Sequence, residues 1–176
     1  YHSGVPALVK KHMPQAKFIV LLRDPVERAY SHFEMERARG AEPEPDFETA
    51  LRLEKSRILD AAPFLENNPE SSNKAHQTYS YASRGFYVEQ IERWFEYFPK
   101  QQFLFLKSED FFANPKDALT TIYRFLEVEE MYPSNFKAEN TGNYETLSPE
   151  IHAKLKPLFA EDQEKLKTLL GEHFKW

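Results

Sequence analysis

The sequence contains no cysteine, so no disulfide can staple the fold and no thiolate can bind metal or attack a substrate. Glycine is scarce. The five glycines stand at positions 4, 40, 85, 142 and 171, and none opens a Gly-x-x-x-x-Gly-Lys run or a glycine-rich loop after a strand. No apolar run approaches the ~18 residues that a membrane span needs. No signal peptide and no Asn-x-Ser/Thr acceptor is visible. These absences lead to the expectation of a cytoplasmic protein without a membrane span. Positive charge is short as well: 23 Lys and Arg against 28 Asp and Glu leave a net charge of −5, which argues against nucleic acid as the main partner. The histidines at 2, 12, 32, 76, 152 and 173 show no metal-ligand spacing, so no metal is expected, and Gly-x-Ser-x-Gly is absent.

What is present is a core-forming composition, 41% hydrophobic and 15% aromatic, in a chain long enough for one domain over residues 1–176. One stretch organises it: Lys17 to Phe33, KFIVLLRDPVERAYSHF. The apolar run Phe18–Leu22 reads as a buried strand. Pro25 suits a first helical position, Asp24 can cap the helix, and Glu27 stands where a capping box puts its acid. Strand followed by capped helix is half of a βαβ unit, in which ligands bind beyond the carboxyl ends of the strands. Arg23 sits at that end. Ser31 lies six residues past Pro25, about 9 Å along the helix axis. An anion held by both would lie beside the first two helical turns.

Arg-Asp-Pro-Val-Glu-Arg-Ala-Tyr-Ser directly after a strand resembles the 3′-phosphate-binding motif of the sulfotransferases that use PAPS, 3′-phosphoadenosine 5′-phosphosulfate. By that match Arg23 and Ser31 hold the donor's 3′-phosphate, and a guanidinium plus a hydroxyl suits phosphate oxygens. A second stretch, Tyr79 to Pro99, carries Tyr87, Ile91, Trp94, Phe95 and Phe98 at helical spacing. Gly85 before it allows close backbone approach and offers free N–H groups. Ser83-Arg84-Gly85-Phe86-Tyr87 resembles the basic–glycine step of the same family, which adds Arg84 and Gly85 to the phosphate site.

Along the rest of the chain, helices are expected over 5–13, from Pro25 to near Gly40, over about 47–60 with Asp46 as cap, and from Asn114-Pro115 to about 126. Further helices are expected from Ser148-Pro149 to Pro157 and over about 160–170. A buried strand is expected at 101–106. Residues 41–48 and 130–147 read as loops, and 66–78 as polar, turn-rich and flexible. The family resemblance covers about residues 5–175 and is weakest at 40–80, a variable insertion on the acceptor side.

The resemblance implies an α/β fold, a helix-rich parallel sheet flanked by helices related to P-loop NTPases. It also implies sulfuryl transfer from PAPS to a hydroxyl or amine of a small-molecule or carbohydrate acceptor. The family's lysine-bearing phosphosulfate loop has no match here, so the chain is expected to be a C-terminal portion. For the general base the sequence offers His76, with Glu109 and Asp110 behind it. Other readings are a non-catalytic nucleotide-binding or interaction domain on the same fold, and a P-loop phosphotransferase using ATP.

Overall fold

The computed structural model describes residues 4–68, 71–136 and 144–176. Its sheet pairs β1 (Phe18–Leu22) in parallel with β2 (Phe103–Lys107), Phe18 opposite Phe103 and Leu22 opposite Lys107. Parallel neighbours require a crossover connection. Here the crossover carries α2 (Pro25–Ala38), α3 (Phe47–Arg57), α4 (Ala61–Asn67), α5 (Lys74–Tyr79), a 3₁₀ turn at Ser83–Gly85 and α6 (Tyr87–Phe95). Before β1 comes α1 (Val5–His12). After β2 come α7 (Ser108–Ala113), α8 (Pro115–Leu126), α9 (Pro149–Leu155) and α10 (Ala160–Leu170). This is the helix-rich α/β architecture expected from the sequence.

Two apolar clusters hold it together. Leu22 and Val20 of β1 pack with Phe105, with Tyr87, Val88 and Ile91 of α6, with Leu166 of α10 and with Phe174. Val26, Ala29 and Phe33 of α2 pack instead with Phe47 and Ala50 of α3, Tyr81, Leu147 and Phe159. The strand and the helix that follows it thus belong to different clusters, and the corner Arg23-Asp24-Pro25 joins them. Each fully buried side chain of this size is worth about 2 kcal/mol relative to exposure, so both sides anchor the corner firmly.

Several expectations need correction. β1 is buried on one face only among the described residues: Ile19 and Leu21 are 37% and 44% exposed, because α6 and α10 cover the other face. β2 is half-buried throughout rather than buried. Residues 66–78 are not simply turn-rich. α4 ends at Asn67, and Asn73 accepts the His76 N–H at 2.9 Å to start α5, whose His76 and Thr78 are buried. Asn114 makes no side-chain cap, although α8 does begin at Pro115. The loop expected at 130–147 falls in part on 137–143, which lie outside the described residues. By contrast, Asp46 caps α3 through the Thr49 N–H, and Ser148 caps α9 through the Ile151 N–H.

Candidate functional site

At the carboxyl end of β1 the chain turns into α2 over a buried carboxylate. Asp24 Oδ1 accepts the Val26 N–H at 2.9 Å and the Glu27 N–H at 3.0 Å. The reach-back expected of Glu27 does not form. The Asp24 N–H instead donates to Glu109 at 2.9 Å, and Glu27 pairs with Arg23 at 3.3 Å. His152 of α9 meets the other Asp24 oxygen at 3.1 Å. Glu109 therefore completes the cap from 85 residues away, and Asp110 pairs with His173 at 2.7 Å. Both carboxylates offered for the base have structural partners.

Arg23 itself is part-exposed and holds Glu27 through one long contact. Exposed pairs of this kind contribute little, so an incoming anion meets small competition for the guanidinium. Glu27 and Ser31 are four residues apart and share one stripe of the helix, which sets Arg23, Glu27 and Ser31 along one flank of α2. Ser31 Oγ accepts a hydrogen bond from the Tyr144 hydroxyl at 2.8 Å, and Tyr30 donates to the Glu145 carbonyl at 3.0 Å. Tyr144 was not anticipated. It comes from a segment that reads only as loop, and no local pattern ties it to Ser31 113 positions away.

The Arg84–Gly85 step reaches the same helix from another side. Gly85 is buried against the first residue of α2: a Cβ there would lie 3.1 Å from Pro25 Cβ and 2.8 Å from the Phe159 ring. Close approach, expected of this glycine, is thus met by protein packing. Its N–H is not free, because it donates to the Ala82 carbonyl at 2.7 Å. Nor are the first N–H groups of α6, since Tyr87 and Val88 donate to Asp162 at 2.9 and 3.2 Å. Arg84 donates to the carbonyls of His76 at 3.3 Å and Gln77 at 3.1 Å in the last turns of α5. A cation suits such a helix end.

Electrostatics confirm the proximity of Arg84 to α2. Burial, then Arg84, then Arg28 push the His32 imidazole down to about 4, so it is neutral at physiological pH. His32 follows Ser31 and turns roughly 100° from it around the helix. The Ser83–Gly85 turn packs against α2, and Arg84 is near enough to His32, the residue after Ser31, to act on its imidazole. The Tyr87 hydroxyl donates to the Arg23 carbonyl at 2.8 Å, and burial lifts that phenol to about 12. This bond ties the second motif to the first. His76, expected in a solvated loop, is instead a buried residue of α5. Among the described residues no cluster of His, Asp and Glu could hold a metal ion, and no helix is long and apolar enough to cross a membrane.

Comparison with known proteins decides the family. The sulfotransferase domain model matches residues 2–167. The chain belongs to the sulfotransferase domain family. It is similar to the membrane-associated sulfotransferase kil1 of Dictyostelium discoideum, 30% identical over 57% of this chain and 21% of that protein. It is also similar to the bifunctional heparan sulfate N-deacetylase/N-sulfotransferase 1 of Caenorhabditis elegans, 31% identical over 73% of this chain and 14% of that protein. Carbohydrate sulfotransferase 15 of Mus musculus is 31% identical over 90% of this chain and 28% of that protein. The chain therefore spans less than a third of the length of these curated relatives. A crystal structure of a sulfotransferase from Alicyclobacillus acidocaldarius shares the fold, with a TM-score of 0.73 at 23% identity over 96% of this chain and 60% of that one. Expectation of a cytoplasmic location gains no support from these relatives, one of which is named for its membrane association.

Proposed function

We propose that this chain is the donor-binding part of a sulfotransferase that moves a sulfuryl group from PAPS to a hydroxyl or amine of a carbohydrate. Arg23 and Ser31 hold the 3′-phosphate directly. Arg84 adds positive charge from the Ser83–Gly85 turn, and Gly85 lets that step sit against the start of α2. The observation that carries the reading is the flank of α2 itself. At the carboxyl end of a parallel strand, it presents a weakly engaged guanidinium and a serine hydroxyl that already accepts a tyrosine O–H. That donor set fits a phosphate dianion, and Tyr144 can turn its proton from Ser31 to the same anion.

In the transfer, the bond from sulfur to the bridging phosphate oxygen breaks while a bond from sulfur to the acceptor atom forms, and the acceptor's proton passes to a base. The 3′-phosphate is remote from sulfur, so what Arg23, Ser31 and Arg84 supply is orientation. The carbohydrate acceptor is supported by the relatives named for heparan sulfate and for carbohydrate.

Calorimetric titration with adenosine 3′,5′-bisphosphate tests the reading. Arg23→Ala is expected to weaken binding about 30-fold, the worth of a charge-assisted contact of about 2 kcal/mol, and Ser31→Ala about 5-fold. Adenosine 5′-monophosphate, lacking the 3′-phosphate, should bind both variants and the parent alike. Equal affinity of parent and Arg23→Ala for the bisphosphate defeats the assignment. Preference for ATP over the bisphosphate would point to a phosphotransferase instead.

A further inference from the structure

The 40–80 region, expected to face the acceptor, carries two buried carboxylates that the phosphate site does not use. Glu42 accepts from Arg57 at 2.7 Å, from the Tyr81 hydroxyl at 2.6 Å and from the Glu44 N–H at 2.8 Å. Glu54 of α3 is 4% exposed and divides its oxygens between two consecutive backbone donors. Oε2 takes the Ala82 N–H at 2.7 Å, and Oε1 takes the Ser83 N–H at 2.8 Å together with the Ser83 hydroxyl. A buried charge needs such partners. Here all three come from the two residues immediately before Arg84–Gly85.

That placement has a mechanical consequence. On one side the step packs closely on Pro25 and Phe159, with no room for a Cβ at Gly85. On the other side its approach is fixed by the Glu54 carboxylate, and Tyr81 is held in addition by Arg28 of α2 through its carbonyl. We propose that Glu54 is the positioning residue of the Arg84–Gly85 step, so that α3, within the stretch expected to lie on the acceptor side, sets the strength of donor binding. This rests on the reading of Arg84 and Gly85 as part of the phosphate site. A change in α3 then reaches the donor without α3 touching the nucleotide.

The test is a double-mutant cycle read by titration with adenosine 3′,5′-bisphosphate. Glu54→Gln keeps the shape but faces one of the two N–H groups with an amide donor. It should weaken binding about 3- to 10-fold, the worth of one hydrogen bond, while leaving binding unchanged in an Arg84→Ala background. Ser83→Ala, which removes only the hydroxyl bond, should act in the same direction with about a 2-fold effect, and guards against poor folding of the first variant. Hydrogen exchange at the Ala82 and Ser83 amides should quicken in Glu54→Gln. A lower melting temperature with unchanged nucleotide affinity is what a purely structural carboxylate gives, and it overturns the proposal. So do losses from Glu54→Gln and Arg84→Ala that simply add. If the parent protein binds no bisphosphate, the phosphate-site reading itself fails and takes this role with it. If the parent binds and Glu54→Gln binds equally, only the role of Glu54 is lost.

Discussion

The two helices that flank the site begin in opposite ways. α2 is capped by its own preceding residue, since Asp24 takes the N–H groups of Val26 and Glu27. α6 follows Phe86, which has nothing to offer, and its first two N–H groups are taken by Asp162 of α10, 75 residues downstream. The physical demand is the same in both cases, because the first turn of a helix leaves donors that must be met. The local answer meets the first-turn donors of α2 from the residue just before it, and Glu109 and His152 brace that corner from a distance. The remote answer makes the start of α6 depend on the packing of α10. At both starts these donors are taken by carboxylates rather than left to an anion.

That contrast can be broken by removing each carboxylate. Asp24→Ala exposes two N–H groups and frees His152, while the backbone N–H of residue 24 still reaches Glu109, and is expected to cost about 3 kcal/mol of stability in urea denaturation. Asp162→Ala also removes two bonds, but burial already lifts its carboxyl above the ordinary aspartate value, so part of the gain from capping is lost to desolvation. About 2 kcal/mol is expected there, and Asp162→Asn should regain only part of it, because its one carbonyl oxygen serves a single N–H while its amide donor faces the other. A larger loss at Asp162 than at Asp24 would mean that the start of α6 is the true keystone of the corner.

The same contrast explains what was legible. Asp24 and Asp46 are caps because of their neighbours in sequence and are legible as such, and Ser148-Pro149 is legible as a helix start. The inward face of α6 was legible in part from periodicity: Tyr87 and Ile91 are buried and Trp94 and Phe95 half-buried as expected, but the helix ends at Phe95, before the buried Phe98, and the buried Val88 stands outside the pattern. What failed needed distant partners. Glu109 displaced Glu27 from the capping box. Gly85 turned its N–H inward to the Ala82 carbonyl. Asn73 started a short helix inside a polar stretch whose stability comes from burying His76 and Thr78 rather than from propensity. In the candidate site, Arg23 and Ser31 were visible as a motif. Tyr144 and Glu54 were not, because nothing in a loop or on a helix face announces a bond to a residue so far along the chain.

A pH titration sharpens the difference between the flanks of α2. His32 is buried, with Glu36 at 3.7 Å and the charges of Arg84 and Arg28 nearby, and its pKa falls to about 4. The folded-state value is depressed, so the unfolded chain takes up a proton from about pH 6.5 downward while the folded chain does not. The contribution is full above that range and is lost as pH falls toward 4. Between pH 7.5 and 5 the loss is about 2 kcal/mol, and His32→Asn should flatten that part of the profile. Bound adenosine 3′,5′-bisphosphate should raise the pKa if its phosphate reaches Arg84. An imidazole shift that ignores the nucleotide would confine binding to the Arg23 flank.

Smaller effects come from packing and from the surface. Gly85→Ala forces a methyl to 2.8 Å from the Phe159 ring, and a loss of about 1 to 2 kcal/mol is expected, since the ring can give way but Pro25 cannot. The smallest effect is expected one residue before Asp162. Glu161 pairs with Lys165 at 2.6 Å across one turn of α10, and both side chains are largely exposed. Water screens such a pair, and holding two long side chains together offsets most of the attraction. Lys165→Ala should therefore leave the melting temperature unchanged in calorimetry. Glu161 and Asp162 are neighbours with the same charge on the same helix. One serves a surface lysine while the other meets the backbone of a helix 75 residues away, so a measurable loss at Lys165 would show that the exposed face of α10 also supports the corner, and the division between local and remote carboxylates drawn here would have to move.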